Sequence, residues 1–408
     1  MMKKMIKIGI FLEGSPKMGG GFFQSLKSSL MLLDIKKYNS NMDLIVTSSS
    51  TENYFLNRDV KSFLFRPSKI KKYFSELFEI DIIRELLNRF GINHPFTKFI
   101  KKKKFDLIIF LGPSTMAKYC SGTSFIFNIW DLDHKKNTQF PEHNLNYNYE
   151  KKEKLLKEII YRAFKIIVPH ESHKSDLIDI YKVSNKQITV QNFIPMLPDI
   201  HKKNEIKKIN YNDIYKKFNL PLEKKIIFYP AQFWAHKNHK FIIDAVEILK
   251  NKSNKEYFFI FCGGDKGNYN YIKKLISEKD LHDYFKILPF INDDSLISLY
   301  LNCSAVIMPT YCGPTNLPIY ESFYFKKIIF YTKGLIPNDK INDRLIEIDI
   351  DSPFDLHDKL LLLDDKDKIT KIVNNNFKFY DEICSEDVFI ENYQKIIEEF
   401  SYIFNRWK

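Results

Sequence analysis

The chain has 408 residues, of which 44% are hydrophobic and 28% are charged, and its formal net charge is +13. This composition is typical of a globular protein with more than one hydrophobic core, and it excludes a disordered chain. No apolar run approaches the roughly 20 residues that span a bilayer, so an integral membrane protein is not expected. Nucleic acid would suit a basic chain, but no recognition motif accompanies the charge, and no nucleic-acid partner is predicted.

The amino-terminal run and the cysteines indicate a cytoplasmic protein. Met1–Leu12 superficially resembles a signal peptide, but Lys7 breaks its apolar run and a glycine-rich turn follows instead of a cleavage site. We interpret this run as a first β-strand. The five cysteines are scattered without C-x-x-C pairs or zinc-type spacing, which is typical of reduced thiols and predicts no metal site.

Apolar runs of strand length alternate with helical patterns, which predicts an α/β protein with parallel sheets covered on both faces. The predicted strands of the first half are Met5–Leu12, Leu44–Thr47, Phe63–Phe65, Phe105–Gly112, Ser124–Ile129, Lys165–Pro169 and Ile188–Gln191. A polar linker from Asn192 to about Lys224 follows. The predicted strands of the second half are Lys225–Pro230, Tyr257–Cys262, Phe285–Pro289, Ala305–Met308, Ile328–Tyr331 and Leu345–Ile350. Two Rossmann-like domains facing a cleft are therefore expected.

A basic, apolar segment interrupts the first half. Basic residues precede and follow a helical pattern whose apolar members are Phe74, Phe78, Ile82, Leu86 and Phe90; the basic residues are Arg66, Lys69, Lys71, Lys72, Lys98 and Lys101–Lys104. One interpretation is a core helix with a solvated basic flank. The other is a segment that lies on an anionic membrane surface. The sequence leaves both open.

Two groups of candidate site residues follow strands of the first half. Gly20 and Gly21 lie in a glycine run that opens a helix; the run is not G-x-G-x-x-G, so dinucleotide binding is not expected, and either a phosphate contact or a structural turn remains open. Asp131 and His134 follow the fifth strand, where a carboxylate or imidazole can orient a hydroxyl or stay structural. His170 follows the sixth predicted strand, and Ser172 is expected to cap the helix that comes after it.

The second half carries a more specific pattern. Lys237 follows its first strand, in a loop that also holds Gln232, and a lysine there can neutralise a departing diphosphate. After the strand Ala305–Met308, a turn opens a short helix that carries Glu321. The amides at such a helix start can hold an anion, and a buried acid behind them can accept hydrogen bonds from a ribose. These features predict a site for a nucleoside diphosphate.

The segment Met308–Phe323, M-P-T-Y-C-G-P-T-N-L-P-I-Y-E-S-F, resembles the donor-site motif of retaining GT-B glycosyltransferases, in particular family 4, in its bacterial polysaccharide-assembly sub-type. Glu321 matches the second acid of that motif, and Asn316-Leu317-Pro318 match its G-L-P. Gly313 stands where the first Glu is usual, and Gln232 where an Arg is common. The resemblance implies an acceptor domain at 1–192, a donor domain at 193–385 and a helix at 386–408 that packs back on the first domain.

The resemblance also implies an activity and a set of roles. The expected reaction moves a sugar, without metal or cofactor, from a nucleoside-diphosphate sugar to a saccharide or lipid-linked acceptor in cell-surface polysaccharide synthesis, in the cytoplasm or at the inner face of the plasma membrane. The implied catalytic residues are Lys237, Glu321 and His134; the donor-binding residues are Gly20, Gly21, Gln232, Gly263, Gly264, Pro289, Phe290, Ile291, Pro314, Thr315, Asn316 and Leu317; the acceptor-side residues are Asp131 and His170. Gly313 and Gln232 favour an alternative, a non-catalytic sugar-nucleotide-binding subunit.

Overall fold

The computed structural model describes residues 5–15, 20–35, 41–68, 75–197, 213–251, 256–289, 291–313, 315–336 and 340–406. Two predicted donor-binding residues, Phe290 and Pro314, lie outside the described residues. So do Phe74 of the apolar pattern, Lys69, Lys71 and Lys72 before it, and residues 198–212 of the predicted linker.

The chain forms two compact units. The first comprises Met1–Leu132, Glu150–Met196 and Cys384–Lys408, and the second comprises Asp133–Tyr149 and Leu197–Ile383. The segment Asp133–Tyr149 therefore belongs to the second unit, although the residues on both sides of it in sequence belong to the first. No pattern in the sequence indicated that separation.

The first unit is built on a parallel sheet with the strand order β3-β2-β1-β4-β5-β6-β7. Its strands are β1 (Lys7–Leu12), β2 (Asn41–Val46), β3 (Ser62–Leu64), β4 (Leu107–Phe110), β5 (Ser124–Asn128), β6 (Lys165–Val168) and β7 (Ile188–Val190). The central strand β4 is buried along its whole length. Strands that are covered by helices on both faces have continuous apolar sequences. The predicted strands therefore match the observed ones closely.

The second unit is built on a parallel sheet with the order β10-β9-β8-β11-β12-β13. Its strands are β8 (Lys225–Pro230), β9 (Tyr257–Cys262), β10 (Phe285–Leu288), β11 (Ala305–Met308), β12 (Ile328–Thr332) and β13 (Ile346–Ile348). The order reverses at β8, whose neighbours are β9 and β11. In an open parallel sheet the crevice at such a reversal, outside the carboxyl ends of the strands, is the usual ligand site. The predicted α/β class is confirmed.

The helices connect and cover these strands. Those among the described residues are α1 (Gly20–Asp34), α2 (Ser49–Leu56), α3 (Asp81–Arg89), α4 (Pro95–Lys103), α5 (Asp133–Lys136), α6 (Pro141–Asn144), α7 (Asn148–Ile159), α8 (Glu171–Tyr181), α9 (Asp213–Phe218), α10 (His239–Asn251), α11 (Tyr269–Glu278), α12 (Asp293–Asn302), α13 (Leu317–Tyr324), α14 (Pro353–Leu360), α15 (Lys366–Ile383) and α16 (Glu386–Phe404). Within the chain as described, no helix is long and apolar enough to cross a membrane.

The last helix, α16, packs within the first unit. Its apolar stripe is buried, and the ring of Phe400 lies 5.2 Å from that of Phe164, centroid to centroid. Polar contacts fix its position along the sheet: the Asn392 Nδ2 donates to Gln191 Oε1 at 2.9 Å, and Lys165 Nζ lies 2.9 Å from a Glu399 carboxylate oxygen. The final helix therefore contributes to the core of the first unit.

In its described part, residues 75–104, the basic, apolar segment does not form the buried helix of the first interpretation. Phe78 is buried, but it belongs to a turn before α3, and Ile82, Leu86 and Phe90 are exposed. No residue of α3 is buried. The core-helix interpretation is therefore wrong for these three residues.

Candidate active site

The turn between β11 and α13 is organised by Asn316, the residue before the helix. Asn316 has extended backbone angles, but its side chain does not cap the helix. Its amide nitrogen donates to the Cys312 carbonyl at 3.1 Å and to the Tyr331 hydroxyl at 2.7 Å. Of the first-turn residues, Pro318 has no N–H and the Ile319 N–H donates to the Asn316 carbonyl at 3.0 Å. The Leu317 N–H, where the helix dipole is positive, is not capped by the Asn316 side chain.

Lys237 reaches this helix start from the loop that follows β8. Its ammonium donates to the Asn316 Oδ1 at 2.7 Å, across 79 residues of sequence. Its backbone is held as well, because its carbonyl accepts from the buried Tyr229 hydroxyl at 2.5 Å. The structure thus brings a cation and a helix N-terminus together, and both interact favourably with an anion.

Glu321 lies behind this turn, on the second turn of α13. The Tyr300 hydroxyl of α12 donates to one of its carboxylate oxygens. Enclosure of the carboxyl group raises its pKa to about 7, and the Tyr300 hydrogen bond opposes that rise. Tyr300 is buried, a buried phenol needs a hydrogen-bond partner, and that partner is the predicted ribose-binding acid.

The loop that carries Lys237 is anchored by a residue that the sequence interpretation did not single out. Glu142, on the segment Asp133–Tyr149, accepts the backbone N–H of His236 at 3.1 Å, and the imidazole of His236 contacts the same oxygen. Although burial raises the pKa of Glu142, these hydrogen bonds lower it to about 2. The pair holds the residue next to Lys237 in place.

His236 also joins the two site loops to each other. Its carbonyl accepts the backbone N–H of Tyr311 at 2.9 Å and the Thr310 hydroxyl at 3.3 Å. The ring of Phe140 packs on Tyr311 with centroids 5.2 Å apart. The loop after β8, the turn after β11 and the segment Asp133–Tyr149 therefore form one connected cluster inside the second unit.

Close backbone packing explains Gly263 at the end of β9. A Cβ at Gly263 would lie 2.3 Å from the Ala231 carbonyl oxygen, whereas a Cβ at Gly264 would have no neighbour within 4 Å. The Gly264 carbonyl accepts the Phe233 N–H at 3.0 Å, and Gln232 accepts from the Trp234 indole at 3.1 Å. The loops after β8 and β9 are thus paired through their backbones.

The remaining donor-side predictions fall along the same edge. Pro289 is exposed after β10 and Ile291 is half-buried before α12. Thr315, Asn316 and Leu317 are half-buried at the start of α13. All of them follow the carboxyl ends of strands in the second sheet.

Gly313, where the first Glu of the motif is usual, has no room for a side chain. A Cβ there would lie 2.7 Å from the Tyr331 hydroxyl and 2.9 Å from a Leu335 methyl carbon. The same hydroxyl accepts from Asn316. The departure from the family pattern is therefore part of the packing that holds the turn.

The predicted residues of the first unit are held mainly by structural contacts. A Cβ at Gly21 would lie 2.5 Å from the Trp130 ring, so this glycine makes room for the indole, while Gly20 is exposed at the start of α1. The Asp131 carboxylate lies 3.7 Å from Lys152 Nζ. His170, not Ser172, is the N-cap of α8: its Nδ1 accepts the Ser172 N–H at 3.1 Å, so the predicted cap was wrong by two residues.

His134 lies in the second unit, whereas Asp131, the other predicted residue after the fifth strand, lies in the first. It is 1% exposed, and its ring packs on Tyr149 with centroids 5.6 Å apart. In the part of the chain that the structure describes, no group of three or more His, Cys, Asp or Glu side chains could hold a metal ion.

Comparisons with known proteins show what parts of the chain are similar to. Residues 210–378 match the family model described as Glycosyl transferases group 1. The chain is 24% identical over 216 residues to the capsular polysaccharide biosynthesis glycosyltransferase CapH of Staphylococcus aureus, covering 51% of this chain and 54% of that protein. The chain thus spans about half the length of this relative.

Solved glycosyltransferases share the fold over nearly the whole chain. A glycosyltransferase from Rickettsia africae has a TM-score of 0.69 at 16% identity, covering 97% of this chain and 99% of that one. HepE of Anabaena, in complex with UDP-glucose, has a TM-score of 0.66 at 15% identity, covering 97% and 100%. WaaG, a glycosyltransferase involved in lipopolysaccharide biosynthesis, has a TM-score of 0.64 at 12% identity, covering 96% and 99%.

These findings show the GT-B fold over nearly the whole chain and a similarity to glycosyl transferases group 1 over residues 210–378. The matched residues lie in the second unit, and the site cluster lies within them except for the segment Asp133–Tyr149.

Proposed function

We propose that this protein transfers a sugar from a nucleoside-diphosphate sugar to a saccharide or lipid-linked saccharide, with retention of configuration and without a metal ion, during cell-surface polysaccharide synthesis. The observation that carries the proposal is the 2.7 Å contact between Lys237 Nζ and Asn316 at the start of α13. A cation and a helix N-terminus at the carboxyl edge of a parallel sheet suit the diphosphate of a sugar donor. The structure of HepE with UDP-glucose supports a donor of this class.

The proposed chemistry is stabilisation of the leaving group. The bond between the anomeric carbon and the donor phosphate breaks, and the diphosphate leaves with the electron pair. Lys237 and the amides at the start of α13 stabilise the charge that develops there. The acceptor hydroxyl attacks the sugar on the departing face, and its proton passes to a phosphate oxygen. Glu321 accepts hydrogen bonds from the donor ribose.

The proposed setting is the cytoplasm, at the inner face of the plasma membrane. Nucleotide sugars are the donors in this scheme, and a lipid-linked acceptor would lie at the membrane surface. The similarity to a capsular polysaccharide glycosyltransferase supports this setting.

Nucleotide release tests the proposal. The purified protein is supplied with UDP-, GDP- and other activated sugars and a panel of saccharide and lipid-linked acceptors, and free nucleotide and the anomeric configuration of the product are measured. We expect acceptor-dependent release of one nucleotide. Lys237→Ala and Glu321→Ala variants that keep the folded structure and full turnover would contradict the assignment of this site.

A non-catalytic donor-binding subunit is the second candidate. It is favoured by Gly313, which replaces the first acid of the motif, and by Gln232, which supplies no charge. Calorimetry separates the two candidates, because a subunit of this kind would bind the sugar nucleotide without releasing the nucleotide in the presence of any acceptor.

A further inference from the structure

The region around α3 presents apolar side chains to solvent. Ile82 is 80% exposed, Leu86 is 53% exposed and Phe90 is 72% exposed, and Leu77 and Ile80 in the preceding turn are also exposed. Single exposed apolar residues are ordinary, but a cluster on one helix marks an interaction surface. Ile82, Leu86 and Phe90 are spaced four residues apart and therefore lie along one side of the helix.

The opposite side of α3 is fixed to the first unit, so the exposed stripe points away from the core. Leu87 packs against the hydrophobic core, and its carbonyl accepts the Ile92 N–H at 2.8 Å. Arg84 on the same helix lies 3.0 Å from Glu158 of α7. Because these contacts hold α3 on the first unit, the helix can expose its apolar stripe to solvent while it stays packed on that unit.

The segment that contains the stripe has an excess of basic residues, although Glu76 and Glu85 are exposed within it. Residues 75–104 include seven basic and four acidic side chains. Two of the acids are neutralised inside the unit: Glu79 contacts Lys118 and Tyr119, and Asp81 contacts Arg84 and Lys154. The exposed basic residues of this region are Arg89, Lys98, Lys101, Lys102 and Lys104.

We propose that this surface, the stripe Ile82, Leu86 and Phe90 with its exposed basic flank, binds the surface of an anionic lipid bilayer. An apolar stripe flanked by lysines matches the boundary between acyl chains and acidic headgroups. A protein partner fits less well, because lysine is depleted in protein interfaces relative to the rest of the surface. The proposal does not depend on sugar transfer. Binding to the bilayer would bring the protein to the plane in which a lipid-linked acceptor lies.

Vesicle flotation of the purified full-length protein tests this proposal. Vesicles of phosphatidylcholine alone are compared with vesicles that also contain phosphatidylglycerol. We expect binding to the anionic vesicles, weakened by salt because surface charges are screened. The triple variant Ile82→Ser, Leu86→Ser and Phe90→Ser should lower the partition coefficient at least about tenfold, since three apolar side chains no longer enter the bilayer.

A matched control removes exposed apolar side chains elsewhere. Leu222 is 78% exposed and Leu361 is 51% exposed, both in the second unit. The double variant Leu222→Ser and Leu361→Ser should bind vesicles as the unchanged protein does. The variant Lys101→Glu and Lys102→Glu should lose binding to anionic vesicles while keeping its circular dichroism spectrum, because both lysines are exposed.

Three results would overturn the proposal. The first is no binding to phosphatidylglycerol vesicles, and the second is equal binding with and without the anionic lipid. The third is a protein that self-associates in analytical ultracentrifugation, binds no vesicles, and becomes monomeric in the triple serine variant. That result would assign the surface to contact between two copies of the chain.

Discussion

The carboxyl edges of the two sheets share a parallel topology but are filled by different kinds of contact. In the second unit, side chains from separate loops meet through polar groups, as in the contact of Lys237 with Asn316. In the first unit, the corresponding edge is filled by the indole of Trp130, and a Cβ at Gly21 or Gly112 would lie within 2.6 Å of its ring. The difference shows that a glycine after a strand is as compatible with aromatic packing as with a ligand.

Lys237→Ala should give the largest effect on activity. Removing a group that stabilises developing negative charge typically lowers turnover by about 10²–10³-fold. The melting temperature should change little, because Lys237 is held on the loop by backbone contacts. Nucleotide release measures turnover, and Lys240→Ala is the matched control, since Lys240 is exposed and pairs with Asp244. Equal losses in both variants would contradict a specific role for Lys237.

Glu321→Gln should change how stability depends on pH. The pKa of Glu321 is about 7 in the folded protein, against an ordinary value of 4.5. The folded state therefore holds its proton more tightly, and stability falls as the pH rises from 4.5 to about 7. Relative to the unchanged protein, the Gln variant should gain up to about 3 kcal/mol across that range. Denaturant unfolding at several pH values measures this, and a constant difference would rule out the raised pKa.

Glu142→Ala tests whether the segment Asp133–Tyr149 supports the site. Hydrogen bonds lower the pKa of Glu142 to about 2, so its stabilising effect is complete above pH 4.5 and is lost as the pH falls through 2. At neutral pH the variant should lose about 1–3 kcal/mol of stability and bind donor more weakly.

Glu142→Gln is the matched variant, because its oxygen can still accept the His236 N–H. It should lose less stability and less donor affinity than the Ala variant. Unchanged donor binding by calorimetry in both variants would show that the anchor does not support the site.

Gly21→Ala should affect stability more than activity. The added methyl group would lie 2.5 Å from the Trp130 ring, and overpacking of this kind costs about 1–3 kcal/mol. Gly264→Ala is the control, since a Cβ there meets nothing within 4 Å. Thermal unfolding measures both. If the Gly21→Ala variant keeps its melting temperature and loses donor affinity, Gly21 contributes to donor binding and not to packing against Trp130.

Most of the fold could be predicted because its strands are buried on both faces. Three strands of the second sheet, Lys225–Pro230, Tyr257–Cys262 and Ala305–Met308, have the bounds that the apolar runs predict. The apolar pattern Phe74–Phe90 did not predict the burial of its residues correctly. A four-residue spacing indicates a stripe on a helix, but it does not indicate whether that stripe faces the core or the solvent. Only the packing around Phe78 and Leu87 settles that direction.

The site could be predicted where one short segment carries it. Glu321 and Asn316 lie five residues apart on one turn and helix, so a local pattern identifies both. Glu142 could not be found in this way, because its partner His236 is 94 residues away in sequence.

The five cysteines are all buried. Burial raises the pKa of the Cys262 thiol to about 12 and that of Cys303 to about 11. Because the thiolate is the form that attacks a labelling reagent, these native side chains should react slowly at neutral pH. A single cysteine introduced on the surface, for example by Leu86→Cys, would then take up a fluorescent probe selectively, without prior removal of any native thiol.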